Sequence, residues 1–194
     1  MYRPSQTPLS WIHWSKGGNE EVFSLPSAEK IVDELKKWNI THLIGLPDNG
    51  TAGIYERLNA DPDVDVITVT REGEAFAIAA GLYVTGKQPV VVIQSTGFLE
   101  SGDAIRGTAF GMQIPLVTLI GYRGYSTMEP NSPRVADGPR VDSAATFLEP
   151  TLKAWKFPYS KLETDDDVPY ISEAFEKAQA TSMPAAVLLI GFWK

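Results

Sequence analysis

The segment VDVITVTREGEAFAIAAGLYVTGKQPVVVIQ, residues 64–94, decides the fold. Residues 64–70 are rich in β-branched side chains, which suit a strand. Residues 73–85 are almost wholly apolar and long enough for a buried helix, which Gly86 ends. Residues 89–94, PVVVIQ, form a short continuous apolar run of the kind that marks a strand buried on both faces. A strand, a helix and a second strand in such close order predict a βαβ unit and a parallel sheet. Within the segment, GLYVTGKQ (81–88) nearly spells a phosphate-binding loop. Gln88 stands where a hydroxyl should hold magnesium, and the stretch precedes a strand rather than following one. A helix end at Gly86 explains it better.

The same alternation continues outward. Ala28, Ile31, Val32, Leu35 and Trp38 recur at helical spacing, with Ser27 as N-cap. ITHLIG (40–45) reads as a strand, GTAGIYERLN (50–59) as a helix, residues 100–111 as a glycine-weakened helix and PLVTLIGY (115–122) as a buried strand. A polar loop spans 123–141. Helices are predicted at 143–155 and 168–180, and PAAVLLIG (184–191) closes as a strand. Residues 1–26 read as an extended arm in which Trp11 and Trp14 pack on this or a neighbouring chain, and residues 27–194 as one domain. The predicted fold class is α/β, a three-layer, mostly parallel sheet flanked by helices. Ligands of such sheets gather at the carboxyl ends of the strands. That rim should carry the loops GLPDNG (45–50), TREGE (70–74), QSTGFLE (94–100) and GYRGYSTMEP (121–130).

The bulk composition narrows the function. The chain has 194 residues, 43% of them hydrophobic, and a net charge of −7. No basic stripe is available for nucleic acid. The absence of cysteine excludes disulfides, thiolate catalysis and cysteine-ligated metals, and His13 and His42 alone make a histidine metal site or a histidine triad a poor expectation. No secretory signal and no run of about 18 apolar residues stands out, so the expected location is the cytoplasm.

Residues REGEAFAIAAG (71–81), with an acid at 72 and little side-chain bulk thereafter, resemble the pyrimidine-binding domain of thiamine-diphosphate enzymes. GLPDN (45–49), TGKQPVVVIQSTG (85–97) and LIGYRG (119–124) extend the resemblance, in order and spacing, to the phosphonopyruvate and sulfopyruvate decarboxylases. It runs from about residue 27 to the C-terminus, and in length the chain is similar to the separate alpha subunit of the sulfopyruvate decarboxylases. The resemblance implies thiamine diphosphate as cofactor and a 2-oxo acid as substrate. It implies that Glu72 is catalytic, hydrogen-bonding a ring nitrogen of the cofactor's aminopyrimidine, with Gln94, Ser95, Thr96 and Gly97 beside the cofactor. Glu74 reads as a helix-capping acid.

The resemblance also implies that Asp48 and Asn49 fall at the substrate end of the site, with Asp48 serving proton transfer. The other reading of P-D-N-G is an Asx turn. Arg123 suits an anion clamp or, equally, a surface ion pair. Relatives tend to read Q-N-S-G-x-G-N where this chain has QSTGFLE. Glu100 thus puts a negative charge near a site meant for an anionic substrate, unless it caps a helix over 101–111. In the loop after Arg123, Asn131 and Ser132 replace a Gln-His pair, and Arg134 and Arg140 are further candidate anion contacts.

Thiamine enzymes bind the diphosphate through magnesium held by a G-D-G…N-N motif in a second domain. GDA (102–104) and ADG (136–138) are the nearest approaches here and neither continues correctly. The expected partner is a diphosphate-binding beta subunit that holds Mg2+ and completes the active site, so no metal ligand is assigned to this chain. The alternatives are another thiamine-dependent decarboxylase or carboligase subunit, or a non-catalytic scaffold of the same fold.

Overall fold

A computed structural model describes residues 27–125 and 143–191. Six strands form one all-parallel sheet: β1 (His42–Gly45), β2 (Asp65–Thr68), β3 (Pro89–Gln94), β4 (Val117–Gly121), β5 (Tyr159–Leu162) and β6 (Ala185–Leu189), in the order β2-β1-β3-β4-β6-β5. The helices are α1 (Ala28–Lys36), α2 (Ala52–Asn59), α3 (Glu72–Val84), α4 (Ser95–Glu100), a short α5 (Gly102–Ala104) running into a π-helical stretch Ile105–Phe110, α6 (Ser143–Ala154) and α7 (Tyr170–Thr181).

The period of two along each inner strand sorts the core into two halves. Val90 and Val92 of β3, Val117 and Leu119 of β4, and Val187 and Leu189 of β6 pack with α1, α2 and α7. The intervening Val91, Ile93, Ile120, Ala186 and Leu188 pack with α3, α4, the π stretch and α6. The result is the three-layer α/β sandwich that the alternating pattern predicts. Phe98 of α4 is fully buried at the centre of the second half, ringed by Phe76, Trp155 and Phe157.

Most predicted elements lie within one or two residues of their observed bounds, and β3 coincides with its prediction. Gly86 ends α3 with positive φ (82°), and the N–H groups of Gly86 and Lys87 donate to the carbonyls of Tyr83 and Leu82, so this stretch is a helix C-terminus and not a phosphate loop.

Four expectations need correction. QSTGFLE is not a rim loop: α4 starts at Ser95 directly after β3, and the helix predicted over 100–111 begins earlier and breaks into α and π turns at its glycines. The edge strand β5 was not foreseen, because YSKL is only four residues long and polar in its middle. Ser27 stands at the N-cap of α1 as expected, but its side chain makes no capping bond, and its backbone N–H donates to Asp165 Oδ1 at 2.7 Å. Glu74 makes no cap either, its carboxylate accepting instead from the Thr70 hydroxyl at 3.4 Å. The N-terminal arm and most of the 123–141 loop, with Asn131, Ser132, Arg134 and Arg140, lie outside the described residues.

Candidate active site

The strand order places a topological switch point between β1 and β3, where the chain leaves to one side through β2 and to the other through β4. The crevice outside their carboxyl ends is where sheets of this kind bind ligands. The segments after β1, β2, β3 and β4 all exit there. They carry Asp48 and Asn49, Glu72, Gln94 to Gly97, and Arg123 respectively.

Glu72 opens α3. Arg71 before it is extended (φ −135°, ψ 133°), so the chain turns sharply from strand to helix and sets Glu72 on the rim, half-buried. Its side chain lies on Gly97 of α4. A methyl group built on Gly97 would overlap Cγ, Cδ and Oε1 of Glu72. The glycine is therefore required by close approach, and it fixes where the carboxyl group sits.

Asp48 does what a turn residue does with one oxygen. Its Oδ1 accepts from both the N–H and the hydroxyl of Thr51, each at 2.8 Å, and so ties the turn into α2. Oδ2 lies towards Gly121, 3.5 Å from where a Cβ would stand there. The other atoms around that point are Thr51 Cγ2 and Gln94 Cα, at 3.4 and 3.8 Å. These are ordinary contact distances, and they put Asp48 and Thr51 beside the ends of β3 and β4, where Gln94 is level with Gly121 in register.

Tyr55 of α2 joins this group, and the sequence did not single it out. Its hydroxyl donates to the Val92 carbonyl at 2.6 Å beneath the rim. Burial raises the phenol well above its ordinary range, and the Asp48 and Glu72 carboxylates raise it further. Two acids on different segments act on one hydroxyl, so both face the same region. The order Asp48, Thr51, Tyr55, a turn acid, the N-cap and the first turn of α2, was the available signal. Gly45, at the end of β1, also leaves room for the tyrosine oxygen: a Cβ there would clash with it and with the Val92 carbonyl.

The remaining candidates divide. Ser95 is fully buried and its hydroxyl has no hydrogen-bond partner among the described residues, while Gln94 is half-buried and Thr96 is exposed. Asn49 and Arg123 are exposed on the rim. Glu100 behaves otherwise than the sequence suggested. It caps no helix over 101–111, and its charge is not left open to the site. Its Oε1 accepts from Nε (3.1 Å) and Nη2 of Arg71, and its Oε2 accepts from the Gly73 N–H at 3.1 Å. The Arg71 guanidinium, outweighing a small burial effect, holds the Glu100 carboxyl below the usual carboxylate range, with help from the Gly73 N–H.

Residues 27–141 match the family model described as "Thiamine pyrophosphate enzyme, N-terminal TPP binding domain". The chain is 26% identical over 168 residues to the sulfopyruvate decarboxylase subunit alpha of Methanothermobacter thermautotrophicus, covering 86% of this chain and 98% of the relative. To the subunit of the same name from Methanocaldococcus jannaschii it is 33% identical over 94 residues, 48% of this chain and 56% of the relative. To the phosphonopyruvate decarboxylase of Streptomyces viridochromogenes it is 29% identical over 97 residues, half of this chain but 24% of that longer protein. A matched family domain spanning most of the chain, on a parallel sheet with an acid at its switch point, shows that this protein belongs to the thiamine pyrophosphate enzymes and carries their N-terminal TPP binding domain.

Proposed function

We propose that this chain is the alpha-type, pyrimidine-binding subunit of a thiamine-diphosphate-dependent decarboxylase acting on a sulfopyruvate- or phosphonopyruvate-like 2-oxo acid. The observation that carries the reading is the Glu72 carboxyl group, lodged on Gly97 at the switch point and sharing the Tyr55 environment with Asp48. Two features fit the cofactor's aminopyrimidine: a carboxyl group held in one place, and the buried Ser95 hydroxyl, which has no partner among the described residues. When bound, thiamine diphosphate supplies the electron sink that makes loss of carbon dioxide possible. The chain's own part is orientation and charge. Glu72 holds a proton between its carboxyl group and the pyrimidine nitrogen. Gln94, Ser95, Thr96 and Gly97 line the ring. Asp48, steadied through Oδ1 by Thr51, serves proton transfer at the substrate end, where Asn49 also lies. Arg123 clamps the substrate's anionic group.

The diphosphate and its magnesium belong to a beta subunit that completes the site. The exterior of α3 supports such a partner. Beyond Glu74 the helix is apolar on all sides, yet Ala77, Gly81 and Val84 are exposed, Val84 by 61%. A side chain added at Gly81 would meet nothing within 4 Å, so this surface is open to another backbone. A cytoplasmic location is part of the proposal; separately, among the described residues no helix is long and apolar enough to cross a membrane. The test is reconstitution with the partner. The complex should release carbon dioxide from a 2-oxo acid only with thiamine diphosphate and magnesium present, and Glu72→Gln should abolish the release. Full activity of Glu72→Gln would overturn the proposal.

A further inference from the structure

An acid that works by orientation needs a fixed backbone, and Glu72 stands where helices are least constrained. It is the first residue of α3, whose leading N–H groups have no partner within the helix. Arg71, at the capping position, takes the Glu74 N–H on its carbonyl, but its side chain offers no acceptor for the others, and α3 has no side-chain cap of its own. The acceptor arrives from another element. Glu100, the last residue of α4, takes the Gly73 N–H with Oε2 and the Arg71 guanidinium with Oε1. A single carboxylate therefore grips the residues on both sides of Glu72. One turn back on the same helix, Gly97 receives the Glu72 side chain itself. The Gly97 carbonyl is held in turn by the Ser101 hydroxyl at 2.6 Å. Residues 71, 72 and 73 are thus all seated on α4.

From this juxtaposition we infer that Arg71 and Glu100 are a positioning pair for Glu72, a role that rests on Glu72 contacting the cofactor. Glu100 supplies the missing helix cap, with a negative charge that suits the positive end of α3. Arg71 balances that charge, which would otherwise add to those of Glu72 and Glu74 at the same helix start. The pair is too exposed to matter much as a lone ion pair, with side-chain exposures of 74% and 34%. Its weight lies in geometry, since a reacting group displaced by about an ångström can lose about a hundredfold in rate.

Glu100→Ala removes both grips, whereas Glu100→Gln keeps an acceptor for Gly73. Amide hydrogen exchange, read by NMR on the full chain alone, should quicken about tenfold at Gly73 in Glu100→Ala while β3 and β4 stay protected. Glu100→Gln should retain most of the Gly73 protection. In the complex loaded with thiamine diphosphate, Glu100→Ala should lower kcat about tenfold with KM for the 2-oxo acid unchanged, and Glu100→Gln should restore much of the loss. Unchanged exchange at Gly73 in Glu100→Ala overturns the inference. So does a loosened Gly73 with kcat unmoved, or an equal loss in both variants. A wild-type complex that takes up no thiamine diphosphate sinks the decarboxylase reading instead, and the exchange result still decides whether Glu100 anchors the turn.

Discussion

Gly97 lacks a Cβ because Glu72 occupies the space where one would stand, and this separates activity from stability at one position. In Gly97→Ala the displaced group is the flexible end of a side chain, and alanine favours a helix over glycine by roughly 0.5–1 kcal/mol. The unfolding midpoint should hold or rise, while turnover of the assembled complex should fall about a hundredfold as Glu72 is pushed aside. Denaturant unfolding and steady-state kinetics on one preparation check both halves. Tyr55 offers the converse. Tyr55→Phe leaves the Val92 carbonyl without the donor 2.6 Å away, at a cost of about 1 kcal/mol measured by urea unfolding. Glu72 could be named from sequence because an acid at a strand-to-helix exit, set among four motifs in register, carries a family resemblance. Tyr55, and the pairing of Arg71 with Glu100, could not. They depend on contacts 37 and 29 residues apart along the chain, which only the folded sheet brings together.

Elements were legible in proportion to their burial. β3 shows its bounds as a continuous apolar run, since both of its faces are covered. β5 gives no such signal because it lies at the sheet edge with Lys161 in its middle. α4 was hidden because its six residues include a glycine and follow β3 without a turn. Its importance to the core is still testable. Phe98→Ala would remove a fully buried ring from the second core half and should cost about 3–5 kcal/mol by chemical denaturation. The cap that α4 lends to α3 has a signature in pH. The Glu100 carboxyl is lowered in the folded chain, chiefly by Arg71. A lowered carboxyl adds stability above its ordinary pKa of about 4 and loses it as pH falls through the folded value. Stability of the wild type should thus drop more steeply below about pH 4 than that of Glu100→Ala, as thermal unfolding across acid pH would show.

At the scale of the whole molecule, the order β2-β1-β3-β4-β6-β5 gathers the unusual segments of the sequence on one rim. The sequence could foretell that gathering, because parallel strands all present their carboxyl ends on one side. It could not foretell which segments touch, since that depends on strand order and not on the spacing of motifs. Among the described residues the rim gathers Asp48, Glu72 and the segment Gln94 to Gly97, the sequence carries no complete G-D-G…N-N motif, and apolar residues of α3 are exposed. The account therefore turns on Glu72 meeting the cofactor inside a larger assembly. A crystal structure of this chain with its diphosphate-binding partner, thiamine diphosphate and magnesium tests that directly. The expected result is a Glu72 carboxyl oxygen about 2.7–3.0 Å from an aminopyrimidine ring nitrogen, with Gly97 packed against the acid. A cofactor bound elsewhere, with Glu72 turned to solvent, would contradict it.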